Sequence, residues 1–248
     1  MKRLIQSALN RAGYFVEKRQ QLPGGSVISN GFLRELSDDE REILYHVSPF
    51  TMTTAERIVA MIRATRYISQ AQIPGAIVEC GVYRGGSMMA AALALPDQIR
   101  DLYLLDTFEG MTAPTDKDRN MDGKLASEYR YEDVNCTASL DDVRSNMSLT
   151  HYPLEKLHFI KGKVEETIPM KGLSKIALLR LDTDWYESTK HELRYLFPLL
   201  SIGGVLIIDD YGHWRGTREA VDEYLEETGQ TLLLQRVDYA CYMAIKTC

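Results

Sequence analysis

Four aspartates stand in two short motifs, Asp182-Thr-Asp184 and Asp209-Asp210, and each motif closes a run of apolar residues: IALLRLDTD at 176–184 and GGVLIIDD at 203–210. If the two runs are neighbouring strands of one sheet, all four carboxylates arrive at the same edge. Carboxylates gathered so closely repel one another unless they are protonated or share a cation. An all-oxygen donor set selects Mg²⁺, Ca²⁺ or Mn²⁺ over zinc. A cation held there could bind a hydroxyl oxygen and stabilise its developing negative charge, while a further carboxylate removes the proton. Period-two geometry lets Asp182 and Asp184 face the same side, one toward a metal and one toward an acceptor. The competing use of such residues is as caps of the following helices.

A second constellation follows the run AIVECGVY at 76–83: Glu79-Cys80-Gly81-Val82-Tyr83-Arg84-Gly85-Gly86-Ser87, with Asp106 twenty residues after Gly86. Glycines at a strand end let the backbone turn tightly and approach a ligand closely. A carboxylate at the end of the next strand can accept both ribose hydroxyls of an adenosine. The spacing GxxxGG differs from the GxGxxG that cradles a dinucleotide pyrophosphate. S-adenosylmethionine has no phosphate and carries a sulfonium and an ammonium, so an acid two residues ahead of the first glycine suits it better. Gly85 and Gly86 could equally cap a helix, and Asp106 could be an N-cap.

These residues need a scaffold that brings strand ends together. Short apolar runs at 76–83, 101–107, 157–163, 176–184, 203–210, 232–237 and 241–247 alternate with polar helical stretches. Near-continuous apolar strands between helices predict a mostly parallel sheet covered on both faces. The last two runs are too close for a crossover helix and must pair antiparallel. The expected fold is α/β and Rossmann-like, a seven-stranded sheet with an antiparallel last strand. Residues 1–75 are expected to form a helical cap before a catalytic domain over 76–248. Two capping boxes, Ser37 to Glu40 and Thr53 to Glu56, open helices in that cap. The stretch 109–135 is polar, weakly periodic and long, which predicts a lid or binding loop.

The 248 residues are 45% hydrophobic with a formal charge of −6, which suits one large domain and gives no global basic field for nucleic acid. Cys80, Cys136, Cys241 and Cys248 are scattered without a CxxC pair, the pattern of reduced thiols in a cytoplasmic protein. The N-terminal stretch lacks the continuous apolar run of a signal peptide, and no transmembrane segment is expected. Leu4, Ile5, Ala8, Leu9 and Ala12 lie at helical spacing, and a helix there would dock on the domain or on a second copy, favouring a homo-oligomer.

Three blocks, VECGVYRGGSMMA, LLRLDTDWYESTKHEL and GGVLIIDDYGHWRGTREAVDEY, give the chain over about 45–246 a resemblance to the macrocin O-methyltransferase (TylF-like) family. These are class I methyltransferases that modify sugar hydroxyls of antibiotics and related glycosides in natural-product biosynthesis. The resemblance implies S-adenosylmethionine as methyl donor, Mg²⁺ or another hard divalent cation, and a small-molecule hydroxyl acceptor. It implies that Thr51 and Met52 close over the cofactor, that Glu79 through Ser87 line its methionine and ribose, and that Asp106 holds the ribose. Lys163 and Val164 would lie by the adenine. Asp182, Asp209 and Asp210 would bind the metal, with Asp182 also against the cofactor, and Asp184 would be the general base. The N-terminal helix and the 109–135 stretch match the family poorly and are expected to select the acceptor.

Other readings stay open at this level. A catechol or phenol chelates a metal as a vicinal sugar diol does. Tyr186 and Lys190 have the Tyr-x-x-x-Lys spacing of a sugar oxidoreductase, but without GxGxxG. A cofactor-binding scaffold without catalysis would not need all four aspartates. His213, in DDYGHW, is a rival base, and Trp185, Tyr186 and Trp214 could stack on a ring or merely edge the core.

Overall fold

The computed structural model of the chain describes residues 18–96, 100–130 and 136–248, so the expected N-terminal amphipathic helix lies outside the described residues. A small hairpin comes first, β1 (Arg19–Gln21) against β2 (Val27–Ser29), joined through a turn in which Gly24 and Gly25 both have positive φ. Helix α1 (Asn30–Glu35) follows, then α2 (Asp38–Val47) and α3 (Ala55–Gln70). The Ser37 capping box forms in full, with Ser37 and Glu40 each accepting the other's backbone N–H. The second cap shifts by one residue: the Thr54 hydroxyl, not Thr53, accepts from the Arg57 N–H. Thr54 has a further partner in Asp238, which fixes it as the capping residue.

The sheet comprises β3 (Ala76–Cys80), β4 (Leu102–Asp106), β5 (Leu157–Lys161), β6 (Ile176–Leu181), β7 (Leu200–Ile208), β8 (Gln235–Arg236) and β9 (Tyr242–Ile245). Its order is β5-β4-β3-β6-β7-β9-β8. The pairs among β3 to β7 are parallel, and β9 runs antiparallel to both β7 and β8, as the short connection requires. The apolar run at 232–237 contributes only two residues to the ladder, because Leu232 and Leu234 pack sideways against the core instead.

Helices α2 and α3 cover one face with α4 (Gly86–Ala94), and Ile43, Leu44, Ile58 and Ile62 join Ile77 and Leu104 in one apolar cluster. The cap residues therefore share a core with the sheet. The other face carries α6 (Val164–Thr167), α7 (Tyr186–Leu196) and α8 (Arg215–Thr228); α5 (Leu140–Ser148) lies beside α4. Successive strands proceed outward in one direction from β3 through β4 to β5, and in the other from β6 to β7. The carboxyl ends of β3 and β6 thus bracket the crevice where such sheets bind ligands. Among the described residues no helix is long and apolar enough to cross a membrane.

Candidate active site

The crevice is lined by the ends of β3, β4, β5, β6 and β7. Gly81 opens the turn after β3 with φ +81°, and a Cβ there would stand 2.1 Å from the Asp182 carbonyl oxygen. Only glycine permits this approach, which sets the turn directly against the end of β6. Asp106 then fastens the turn from β4. Its Oδ2 accepts the N–H groups of Val82 (2.8 Å) and Tyr83 (3.1 Å), and its Oδ1 accepts that of Phe108 (2.8 Å). Gly81, Val82, Tyr83, Ser87 and Asp106 line the cavity, as do Thr51 and Met52 on one side and Lys163 and Val164 on another.

The rest of the glycine motif is framework and does not line the cavity. Glu79 and Cys80 are fully buried under the turn. Arg84 reaches back to the Pro49 carbonyl at 2.8 Å. Gly85 takes the left-handed conformation as N-cap of α4, and a Cβ on Gly86 would meet the Phe50 carbonyl at 2.7 Å. The tight contact at Gly86 is what brings Thr51 and Met52 to the crevice.

The aspartates meet as expected, but in a different grouping. Carboxylate oxygens of Asp182, Asp184 and Asp210 lie within 4.8 Å of one another, with no His or Cys among them. Asp209, expected as a third ligand beside Asp182 and Asp210, points instead at two buried guanidinium groups. Its Oδ1 accepts from Arg180 at 2.5 Å, and its Oδ2 accepts from Arg57. Arg180, next to the carboxyl end of β6, also pairs with Glu79 and, at 2.8 Å, with Asp182. Arg57, from α3, also pairs with Asp238 at 2.8 Å. Four acids, Glu79, Asp182, Asp209 and Asp238, therefore share two guanidinium groups, and Asp184 and Asp210 stand beside them without a cation of their own.

Electrostatics follows from that imbalance. Against the cost of burial, Arg180 and Arg57 hold the Asp209 carboxyl below its usual range. Burial, with repulsion from Asp209 and Asp210, pushes Asp182 well up. Burial and the adjacent Asp210 do the same to Asp184. Burial, reinforced by Asp209, also raises Asp210. A divalent cation between Asp182, Asp184 and Asp210 would relieve this repulsion, and oxygen-only donors suit Mg²⁺ or Mn²⁺.

Asp184 sits at a backbone corner with φ +67°, uncommon outside glycine. The corner is over-determined: the Thr217 hydroxyl donates to the Asp184 carbonyl, the Trp185 N–H to the Thr183 carbonyl (2.8 Å), and the Trp214 indole N–H to Asp184 Oδ2 (3.3 Å). Thr183, between the two aspartates, donates its hydroxyl to Glu192 on α7 at 2.9 Å. Glu192 is fully buried, its Oε2 has no partner, and burial pushes its carboxyl up to about 8. A folded-state value above the unfolded one means that the native state holds the proton longer. The associated stability is complete below about pH 4.5 and is lost as pH rises to about 8. Glu192→Gln, a neutral isostere, should therefore gain thermal stability relative to wild type between pH 5 and pH 8; parallel melting curves across that range would remove the buried acid from this role.

The described part of the 109–135 stretch is bonded to the elements around it. Asp118 is fully buried and accepts the N–H of Tyr186 at the start of α7 (2.8 Å) and that of Thr115 (2.6 Å). Arg215 N–H donates to the Arg119 carbonyl, and its guanidinium to that of Met121. Met111 and Ala126 pack on Trp185 and Trp214, which makes both indoles core residues beneath the insert. Gly110, Met111, Thr112 and Cys136 form this side of the cavity. Tyr186 and Lys190 bond each other and Glu223 away from the crevice, so their oxidoreductase-like spacing serves packing between α7 and α8. His213 does not line the cavity. Its ring stands edge-on to Trp214 and Tyr239.

Comparison with known proteins bears on the same region. Residues 23–245 match the family model described as macrocin-O-methyltransferase (TylF). Over 208 residues the chain is 30% identical to the mycinamicin III 3''-O-methyltransferase of Micromonospora griseorubida, covering 83% of this chain and 81% of that protein. It is 32% identical over 177 residues to the demethyldecarbamoylnovobiocin O-methyltransferase of Streptomyces niveus, covering 70% and 67%. The solved O-methyltransferase NovP superposes with a TM-score of 0.72 at 28% identity, covering 87% of this chain and 90% of that one.

Proposed function

Because the chain belongs to the macrocin-O-methyltransferase (TylF) family, we propose that it methylates a sugar hydroxyl of a glycoside with the aid of a hard divalent cation. The reaction class is that of an S-adenosylmethionine-dependent O-methyltransferase. The observation that carries the finer reading is the acidic trio Asp182, Asp184 and Asp210, set in backbone contact with the glycine turn. The named acceptors of the two relatives, mycinamicin III and demethyldecarbamoylnovobiocin, support a natural-product substrate.

S-adenosylmethionine supplies an electrophilic methyl group on sulfur, and a divalent cation supplies positive charge that makes an alcohol a better nucleophile. The turn Gly81–Tyr83, latched by Asp106, would hold the nucleoside end, with Lys163 and Val164 toward the base and Thr51 and Met52 across the front. Asp182 and Asp210 would hold the cation. Asp209 stays with Arg57 and Arg180 and keeps Asp210 in place through the adjoining backbone. With donor and acceptor bound, Asp184 would take the hydroxyl proton as the methyl group passes to the acceptor oxygen and leaves the C–S electron pair on sulfur, and the strained corner that carries Asp184 keeps the carboxylate aimed into the crevice. The insert wall at 110–112 limits water access to the reacting centre.

A methylation screen over neutral glycosides and over catechols, run with and without EDTA, tests both halves of the proposal. Transfer to glycosides that EDTA abolishes and Mg²⁺ restores is the expected result. Full activity in chelator would remove the cation, and transfer confined to phenols would replace the acceptor class.

A further inference from the structure

We propose that the Tyr239 ring is the platform on which the acceptor's sugar ring lies; this rests on the glycoside reading above and assigns its binding surface. Four aromatic rings run in file past the acidic trio. Trp185 and Trp214 have ring centroids 5.2 Å apart, Trp214 and His213 4.7 Å, and His213 and Tyr239 6.0 Å, all in edge or near-edge contact. The file touches the acids at two points: the Trp214 indole donates to Asp184, and the His213 N–H donates to the Asp210 carbonyl at 2.9 Å. Trp185 and Trp214 are buried beneath the insert, whereas Tyr239 is 58% exposed. The file therefore ends in an open aromatic face just outside the cavity wall, one ring removed from Asp210 and one guanidinium removed from Asp209.

An exposed tyrosine on a turn is ordinarily mobile, and this one is held. The Arg57 guanidinium lies over its ring, 5.3 Å from the centroid, and Arg57 is itself bound to Asp209 and Asp238. The turn between β8 and β9 is latched on both sides. Asp238 accepts from Thr54, Arg57 and the N–H groups of Ala240 and Cys241. Gly212 N–H donates to the Ala240 carbonyl at 2.7 Å, and a Cβ on Gly212 would meet the Tyr239 carbonyl at 2.6 Å. A ring so fixed loses little conformational freedom on binding, and its free face offers apolar surface to the C–H face of a pyranose. Arg57, over that ring, lines the cavity itself, as does Met52, 62% exposed and two residues from the Thr54 that bonds Asp238.

The test uses the best glycoside acceptor from the screen above, with steady-state kinetics and calorimetry of S-adenosylhomocysteine binding. Tyr239→Ala should raise the acceptor KM roughly tenfold, the factor expected for losing about 1.4 kcal/mol of ring contact, with kcat nearly unchanged. Tyr239→Phe should keep the wild-type KM, because the face and not the hydroxyl carries the contact. S-adenosylhomocysteine affinity should be the same in all three proteins. An unchanged KM in Tyr239→Ala, or a KM loss in Tyr239→Phe equal to that in the Ala variant, would overturn the assignment. A fall in kcat or cofactor affinity without a KM change would make Tyr239 structural and overturn it too. If no glycoside is methylated by the wild type while phenols are, the acceptor class itself fails.

Discussion

Arg180→Met is expected to destabilise the fold by about 3–5 kcal/mol, the cost of breaking a buried ion pair by removing one partner. The guanidinium is 3% exposed and is the shared partner of Glu79, Asp182 and Asp209. Methionine restores much of the volume and none of the charge, so these carboxylates would be left to Arg57 alone, which reaches only Asp209 among them. For a domain whose total stability is roughly 5–15 kcal/mol, that loss is large enough to show as a shifted urea midpoint or failure to accumulate folded protein. Adding Glu79→Gln to Arg180→Met removes one orphaned charge and should recover part of the loss. A single variant less than about 1 kcal/mol below wild type would mean that the acids are neutral without Arg180, and the counter-charge role would fall.

Asp184→Asn is expected to lower the transfer rate by roughly 10²–10⁴, the usual contribution of a positioned general base. The substitution is structurally mild, because asparagine tolerates the left-handed conformation at φ +67° and its amide keeps the shape of the carboxyl group. Affinity for S-adenosylhomocysteine should stay near wild type, and excess Mg²⁺ should not restore the rate. Recovery at high Mg²⁺ would instead make Asp184 a metal ligand, an outcome that its place in the trio with Asp182 and Asp210 makes worth measuring. His213→Ala is the control. If that variant shows the metal-insensitive loss and Asp184→Asn keeps most of its activity, the histidine beside Asp210 is the base.

Much of this site could be read from residue order. Apolar runs ending in Gly81, Asp106, Asp182 and Asp209 place those residues at strand ends, and the spacing of the last two runs requires an antiparallel pair. What stayed hidden were partners brought from far along the chain. Asp209 is expected from its place beside Asp210 to bind a metal, and nothing near it in the sequence announces its bond to Arg57, 152 residues earlier. One signal was available: Arg180 is a lone charge inside an otherwise apolar strand, and such a residue must find acids in the interior. Glu192 and Asp118 gave no comparable sign, since each lies in a polar stretch whose buried face only the packing of α7 reveals. The insert's bonds were hidden for the same reason: the backbone carbonyls of Arg119 and Met121 bonded to Arg215 leave no periodic trace in the sequence.

The 2.1 Å that separates a would-be Cβ on Gly81 from the Asp182 oxygen has a consequence for diversification. The ledge for the donor and the corner that presents the acids abut main chain to main chain, so their spacing does not depend on any replaceable side chain. On the proposed mechanism, the spacing between donor and acids is then set by the sheet and not by the rim. New acceptor preferences can be explored by exchanging the turn around Tyr239 and the segment around Met52, much as a lathe accepts a new chuck without realignment of its bed. Laboratory recombination of those two segments among family members should retain methyl transfer far more often than exchanges that cross the Gly81–Asp182 contact.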